Sequence, residues 1–410
     1  MPKHVLERLA EANPDAEIWW DSSPLVYASW AEGVKQKAPG TKRDTWSEQV
    51  DRLFDTDHVE KMLFRGVTTN PPLSLNAIRD DPEYWAQFVT GLIQQHSDED
   101  VESIFWRTYK EIVRRGAEAM RPVWEASKGK YGYVSGQVDP RYAFDYDAMM
   151  AQALEIADLA PNVMVKSPGS REGYRIIEQL TARGIATNNT SSFSVPQFHA
   201  CMQAVARGLE TAKANGVDLF RWRSVITHMS DRFGSLGDLK EQAEARGIDL
   251  SEADQRWAEV ALFKRAIRLI RDNGYPSKML MCSMRISPPT DDGSAASWHI
   301  EKIAGADVVY TCPPKYISQL MQVEDKLKPF DPAAIDEEVP ADVLNRLLRI
   351  PYFEQSYEPD GMTPDQFNRY ASLIATTAEF STATRRMVDF VAQQMQKLGM
   401  PVKSNPPAQR

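Results

Sequence analysis

Short apolar and β-branched runs recur along the chain, and most close on polar residues or turn formers. They are AEIWWD (16–21), FRGVTTN (64–70), GYVSGQVD (132–139), PNVMVKS (161–167), GIATNNT (184–190), RSVITHM (223–229), KMLMCSM (278–284) and ADVVYTC (306–312). Longer stretches with helical periodicity separate them, such as EYWAQFVTGLIQQH and PQFHACMQAVARGLETAKANG. In REGYRIIEQLTARG, Tyr174, Ile177 and Leu180 recur at helical spacing, a glycine marks the stop, and Ser170 stands where a cap is expected. Strands alternating with helices predict a parallel sheet. Eight such units predict an α/β fold of the closed (β/α)8 type, with its site at the carboxyl ends of the strands. A doubly wound open sheet would favour a Gly-rich phosphate loop after the first strand, and WWDSSP is not one. The chain exceeds the roughly 250 residues of a bare barrel. The excess falls at 28–62, 71–131 and 313–380, read as added helices on one domain spanning 1–410. No stretch is rich enough in Gly, Ser or Pro to cut that domain, and the tail from about 403 to 410 is expected to fray.

Composition narrows the possible functions. The chain has 410 residues, 42% of them apolar and 26% charged, with a net charge of −9. An acidic chain without a basic stripe is a poor nucleic-acid binder, because phosphate neutralisation drives that affinity. No apolar stretch approaches the roughly 20 residues of a membrane span, and the charged N-terminus lacks the apolar core of a secretory signal. Cys201, Cys282 and Cys312 fall at no metal or disulfide spacing. The expectation is a soluble cytoplasmic protein without nucleic-acid or membrane partners.

Lys166 is the sharpest chemical signal, because it ends the apolar run PNVMVKS. Burying an ammonium is costly. A lysine pointing into a barrel would be held as a neutral, nucleophilic amine, suited to a Schiff base with a carbonyl. The alternative is a strand-end lysine that snorkels to solvent. Other strand ends are polar as well: Asp21, Thr68 and Asn70, Gln137 and Asp139, Asn188 and Thr190, Ser283 and Arg285, with Arg232 just after the sixth strand. Alternation puts Asn188 with Thr190, and Thr227 with Met229, on one face, and His228 on the other. This polar rim suits a polyhydroxylated substrate. Arg232 and Arg285 come from neighbouring strands, either to grip one phosphate together or to form surface ion pairs.

At these residues the chain resembles the transaldolase family. GVTTNPPLSLNAI (66–78) looks like its second-strand signature. NVMVKSPGSREGYRIIEQLTARGIATNNTSSFSVPQFHACM (162–202) looks like its Schiff-base lysine segment, running on into the Asn-x-Thr strand and the Phe-Ser-x-x-Gln helix start. The 22-residue step from Lys166 to Asn188 fits, and the likeness runs from Asp21 through CSMR (282–285) to ADVVYTCPP (306–314). The VDPR segment after the third strand is similar to the longer bacterial type. The resemblance implies a sugar-phosphate transferase in which Lys166 forms the Schiff base and Asp21 is the general base. It implies that Asn70 and Asn188 hold hydroxyls of the three-carbon unit, with Thr68 and Thr227 beside them. Thr190 would orient the catalytic water, and Arg232, Arg285 and Ser283 would bind phosphate. It requires no organic cofactor or metal, and a homodimer is the family expectation.

Two positions depart from the family pattern. Gln137 stands where transaldolases usually carry a glutamate, and an amide cannot accept a proton from water. Fructose 6-phosphate aldolases carry glutamine there. Met229 matches neither the phenylalanine of transaldolases nor the tyrosine of those aldolases. Three functions therefore stay open: transfer of a dihydroxyacetone unit between sugar phosphates, release of dihydroxyacetone by a lyase, and a non-catalytic scaffold. The remaining features have plainer readings. His228 is expected to be structural, HSDED (96–100) a solvated helix end, SPGS (167–170) a capped turn, Trp19 and Trp20 packing residues, and Cys282 an inert core residue. The Asn188-Asn189-Thr190 sequon is without meaning in a cytoplasmic protein.

Overall fold

The chain's architecture was analysed in a computed structural model that describes residues 2–287, 294 and 296–402. The expected fraying of 403–410 lies outside those residues. Eight parallel strands close into a barrel in sequence order: β1 Glu17–Trp20, β2 Phe64–Thr68, β3 Tyr133–Gln137, β4 Val163–Pro168, β5 Thr187–Thr190, β6 Ser224–Met229, β7 Lys278–Cys282 and β8 Val309–Cys312. The closing pair is β1 with β8, so the doubly wound alternative is excluded. Seven fall inside the runs expected from the sequence, and β4 extends one residue past its run, to Pro168. At β1, β2, β3 and β7 the polar residues at the carboxyl end leave the ladder and begin the loops that build the site, whereas β5, β6 and β8 are shortened at the amino end.

The lower barrel is plugged by side chains. Glu17, 2% exposed, accepts hydrogen bonds from Trp19 Nε1 at 2.9 Å, from Lys278 Nζ at 3.0 Å and from Arg223. The Trp19 ring lies across the interior against β2. A Cβ on Gly66 would sit 2.4 Å from that ring, so β2 carries glycine there. Trp20 points outward onto Tyr27, Trp30 and Phe64, with centroids 5.0–5.6 Å away. The two tryptophans thus pack opposite faces of one strand, as alternation requires.

Helix Arg171–Thr181 buries Tyr174, Ile177 and Leu180, and Ser170 Oγ caps it by accepting from Gly173 N at 3.0 Å. The excess chain is helical in the three places expected. Residues 28–62 hold Tyr27–Lys37 and Arg43–Leu53. Residues 71–131 hold Pro71–Asp80, Pro82–Gln95 and Val101–Ala126. The third excess runs past 380, because its last helix, Ala371–Lys397, is 27 residues long. That helix packs on Pro71–Asp80, Pro82–Gln95 and Val101–Ala126. One continuous apolar core runs from Val5 to Met395. No helix among the described residues is long and apolar enough to cross a membrane.

Candidate active site

A cavity of about 190 Å³ opens at the carboxyl ends of the strands. It is lined by Asp21, Thr68, Asn70, Lys166, Thr227, Arg232 and Ser283, all expected there from the sequence. Lys166 reaches it from the middle of β4, 4% exposed, and its only hydrogen bond among those resolved runs from Nζ to Thr69 O at 3.1 Å. Burial pushes the amine below the usual lysine range, while Asp21 pulls the other way. Asp21 is displaced in the opposite sense: burial raises its carboxyl, and Lys166 and a hydrogen bond from Thr68 restrain the rise. Neither charge is well solvated, so the amine is readily neutral and the carboxyl holds a proton more tightly than usual. This excludes the snorkelling alternative for Lys166.

A hydroxyl chain supports Asp21. Thr68 Oγ1 lies 2.6 Å from both Asp21 Oδ1 and Thr311 Oγ1. One hydroxyl donates once, so Thr68 donates to the carboxylate and accepts from Thr311. On the other side, Gln137, Lys166 and Asn188 stand in register across β3, β4 and β5. Asn188 is fixed at both ends of its amide, donating to Ser135 Oγ at 2.8 Å and accepting from Thr227 Oγ1 at 2.9 Å. Asn70 is half committed: its Oδ1 accepts from Leu73 N at 2.9 Å and caps helix Pro71–Asp80, which leaves Nδ2 for a ligand. Gln137 Oε1 and Thr190 Oγ1 are buried and have no hydrogen-bond partner among the described residues. Buried polar atoms of this kind are usually met by ordered water.

The two arginines part company. Arg232 lines the cavity, lies over the Phe380 ring at 5.3 Å, and donates to Glu379 from Nη1 at 2.6 Å and Nη2 at 2.9 Å. Arg285 turns to Asp231 and lines a separate cleft with Met284, Ile286, Lys315, Tyr316 and Gln319. The structure therefore does not bring Arg232 and Arg285 to one wall. Ser283, between β7 and Arg285, has φ of 56°, and Ser191, just after β5, has φ of 50°. Left-handed backbone without glycine tends to persist where surrounding structure enforces it, often near sites.

Several side chains that line the cavity or, like Ser135, hold a residue beside it lay outside the sequence-based expectations. Ser135 and Thr311 were visible by alternation with Gln137 on β3 and with Val309 on β8. Phe380 had no local signal, since it comes from a distant helix. Cys282 is not merely a core residue: it lines the cavity, where burial pushes its thiol up to about 12. Met229 lines it too, beside Thr227. His228 is structural, as expected. It packs between Phe198 and Phe263, donates from Nε2 to Glu259 O at 3.1 Å, and is lowered to about 3 by burial. In HSDED, Asp100 caps the next helix and Glu99 pairs with Arg107. No cluster of metal-capable side chains occurs among the described residues.

Chemically, this is a (β/α)8 barrel equipped to react through a buried amine facing a half-buried carboxyl. A model of the transaldolase/fructose-6-phosphate aldolase family matches residues 47–356. The transaldolase of Thiobacillus denitrificans is 30% identical over 297 residues, 67% of this chain and 80% of that protein. That of Saccharopolyspora erythraea is 32% identical over 259 residues, 60% of this chain and 69% of that one. For the transaldolase of Mycobacterium marinum the figures are 33% over 213 residues, 51% of this chain and 55% of the relative, so that match spans about half of its length. The chain belongs to the transaldolase/fructose-6-phosphate aldolase family.

Proposed function

We propose that the protein moves a dihydroxyacetone unit from a ketose phosphate to an aldose phosphate through a Schiff base on Lys166. The observation that carries this reading is the pairing of a desolvated Lys166 amine with Asp21 in one cavity. The neutral amine adds to the ketose carbonyl, and loss of water from the carbinolamine gives the imine. Asp21 takes the proton of the C4 hydroxyl, the C3–C4 bond breaks, and its electrons pass into the imine to leave an enamine. The aldose phosphate leaves. The enamine carbon then attacks an incoming aldose phosphate, and hydrolysis frees Lys166. Asn188 and Asn70 hold the hydroxyls of the retained unit, Thr227 and Thr68 hold their neighbours, and Thr190 with Gln137 positions a water. Arg232, Ser283 and, after rearrangement from Asp231, Arg285 take phosphate. A cavity of about 190 Å³ accommodates the three-carbon unit, with the phosphate at the mouth beside Arg232.

The reference reaction is sedoheptulose 7-phosphate plus glyceraldehyde 3-phosphate giving erythrose 4-phosphate plus fructose 6-phosphate. Gln137 and Met229 favour a variant of it with an altered donor or acceptor, and a rate on that pair matching housekeeping transaldolases would refute the variant. The relatives' names favour transfer over release, and a cavity retaining both Lys166 and Asp21 speaks against a scaffold. The proposed setting is a single-domain cytoplasmic enzyme that pairs with a second copy of itself. Borohydride trapping with fructose 6-phosphate, read by intact mass and peptide mapping, tests the core reading. An adduct on Lys166 supports it; failure of a panel of ketose phosphates to label Lys166 refutes it. Adding an aldose phosphate then separates transfer from release of free dihydroxyacetone.

A further inference from the structure

Arg232 is the phosphate ligand of the reading above, yet both its terminal nitrogens are already taken. Nη1 and Nη2 donate to the two carboxylate oxygens of Glu379 at 2.6 and 2.9 Å. This fork-to-fork geometry is the one by which a guanidinium binds a phosphate. Glu379 lies on helix Ala371–Lys397, and the next residue, Phe380, lies under the guanidinium. The Glu379 side chain is 52% exposed, against 19% for Arg232. It can therefore rotate into water with no movement of the helix, while Phe380 and the hydrogen bond from Ser372 Oγ to Arg232 O at 3.3 Å keep the arginine in place.

We propose that Glu379 sets the affinity of the phosphate subsite: its carboxylate occupies the phosphate position on Arg232 as an internal competitor and yields to a ligand of higher negative charge. A sugar phosphate carries between one and two negative charges near neutrality and offers three acceptor oxygens. It outcompetes a single carboxylate that regains its hydration on leaving. An unphosphorylated sugar offers no anion, so it leaves the pair closed and is neither helped nor hindered by it. Because the ion pair is half exposed, its closed state is favoured only modestly. Apparent affinity falls in proportion to the open fraction, which makes the handicap roughly two- to fivefold. The proposal rests on Arg232 being the phosphate ligand, so its test must separate the two ideas.

Glu379→Gln and Glu379→Ala are compared with the native chain for fructose 6-phosphate turnover in the presence of an aldose phosphate acceptor, and for competitive inhibition by inorganic phosphate. KM for the ketose phosphate and Ki for phosphate should both fall roughly two- to fivefold, with kcat unchanged. The ratio of kcat/KM for fructose 6-phosphate to that for unphosphorylated fructose should rise by the same factor. Values that stay level or rise in both variants would overturn the proposal and make Glu379 a support for Arg232. Arg232→Ala supplies the control. If it leaves Ki for phosphate unchanged, Arg232 is not the phosphate ligand and both ideas fall. If it raises Ki while the Glu379 variants do not lower it, only the competition fails.

Discussion

Replacing Asp21 with asparagine removes one charge from the cavity and leaves its shape. The new amide oxygen can still accept from Thr68, whose hydroxyl now lies 2.6 Å from Asp21 Oδ1. What is lost is the capacity to take a proton. A positioned general base typically contributes 10²- to 10⁴-fold, so kcat should fall by that factor, equal to about 3 to 5 kcal/mol of barrier. The nucleophile should survive. Asp21 is the first-ranked influence holding the Lys166 amine up against desolvation, and without it the amine stays neutral over a wider range of pH. The variant should therefore still form the imine and stall before carbon–carbon cleavage. Borohydride with fructose 6-phosphate then distinguishes two adducts by intact mass: the three-carbon unit on the native chain, and the whole ketose phosphate on Asp21→Asn. Turnover within tenfold of the native chain, or a three-carbon adduct on the variant, would refute the assignment of Asp21 as the base. Loss of all labelling would refute the independence of the amine.

Other outcomes follow from packing and burial. Gly66→Ala sets a methyl 2.4 Å from the Trp19 ring inside the barrel, and chemical denaturation should show a loss of about 1 to 3 kcal/mol. Thr227→Val takes the donor from Asn188 Oδ1, now at 2.9 Å, and should lose about 1 to 3 kcal/mol and raise KM for the ketose, whereas Thr227→Ser should stay near native. His4 and His228 are each lowered to about 3 by burial. Their unfolded values are near 6.5, so the stability they protect is complete above that pH and is lost as pH falls from about 6.5 towards 3. The slope is up to roughly 1.4 kcal/mol per pH unit for each histidine. Unfolding free energies across that window should be flatter for His228→Asn by about one proton, and an unchanged slope would count against a buried neutral imidazole.

The barrel was legible because each strand is a short β-rich run and the intervening chain keeps helical period. Lys166 stood out for a thermodynamic reason: an ammonium closing an apolar run is expensive unless it is used. Alternation correctly separated Thr227 and Met229 from His228. What remained hidden depends on contacts far apart in sequence. Nothing near residue 232 announces that Glu379 and Phe380, nearly 150 positions later, stand against its side chain. Strand order left two readings for Arg232 and Arg285, a shared grip on one phosphate or separate ion pairs, and the structure shows the ion pairs. Their side chains are claimed by different carboxylates, Glu379 and Asp231, and residue spacing does not report which carboxylate each one meets. Cys282 was passed over because a cysteine inside an apolar strand looks the same facing inward or outward until the register is known.

The position of Phe380 also has a bearing on synthesis. All eight strands have been made once Cys312 leaves the ribosome, yet the aromatic wall of the cavity belongs to helix Ala371–Lys397. A chain that ended before Ala371 would lack Phe380, and the cavity holding Lys166 would miss that wall. Reactive aldehydes and ketoses would then meet an amine that nothing screens. The site is therefore completed late in translation, only when helix Ala371–Lys397 has been made.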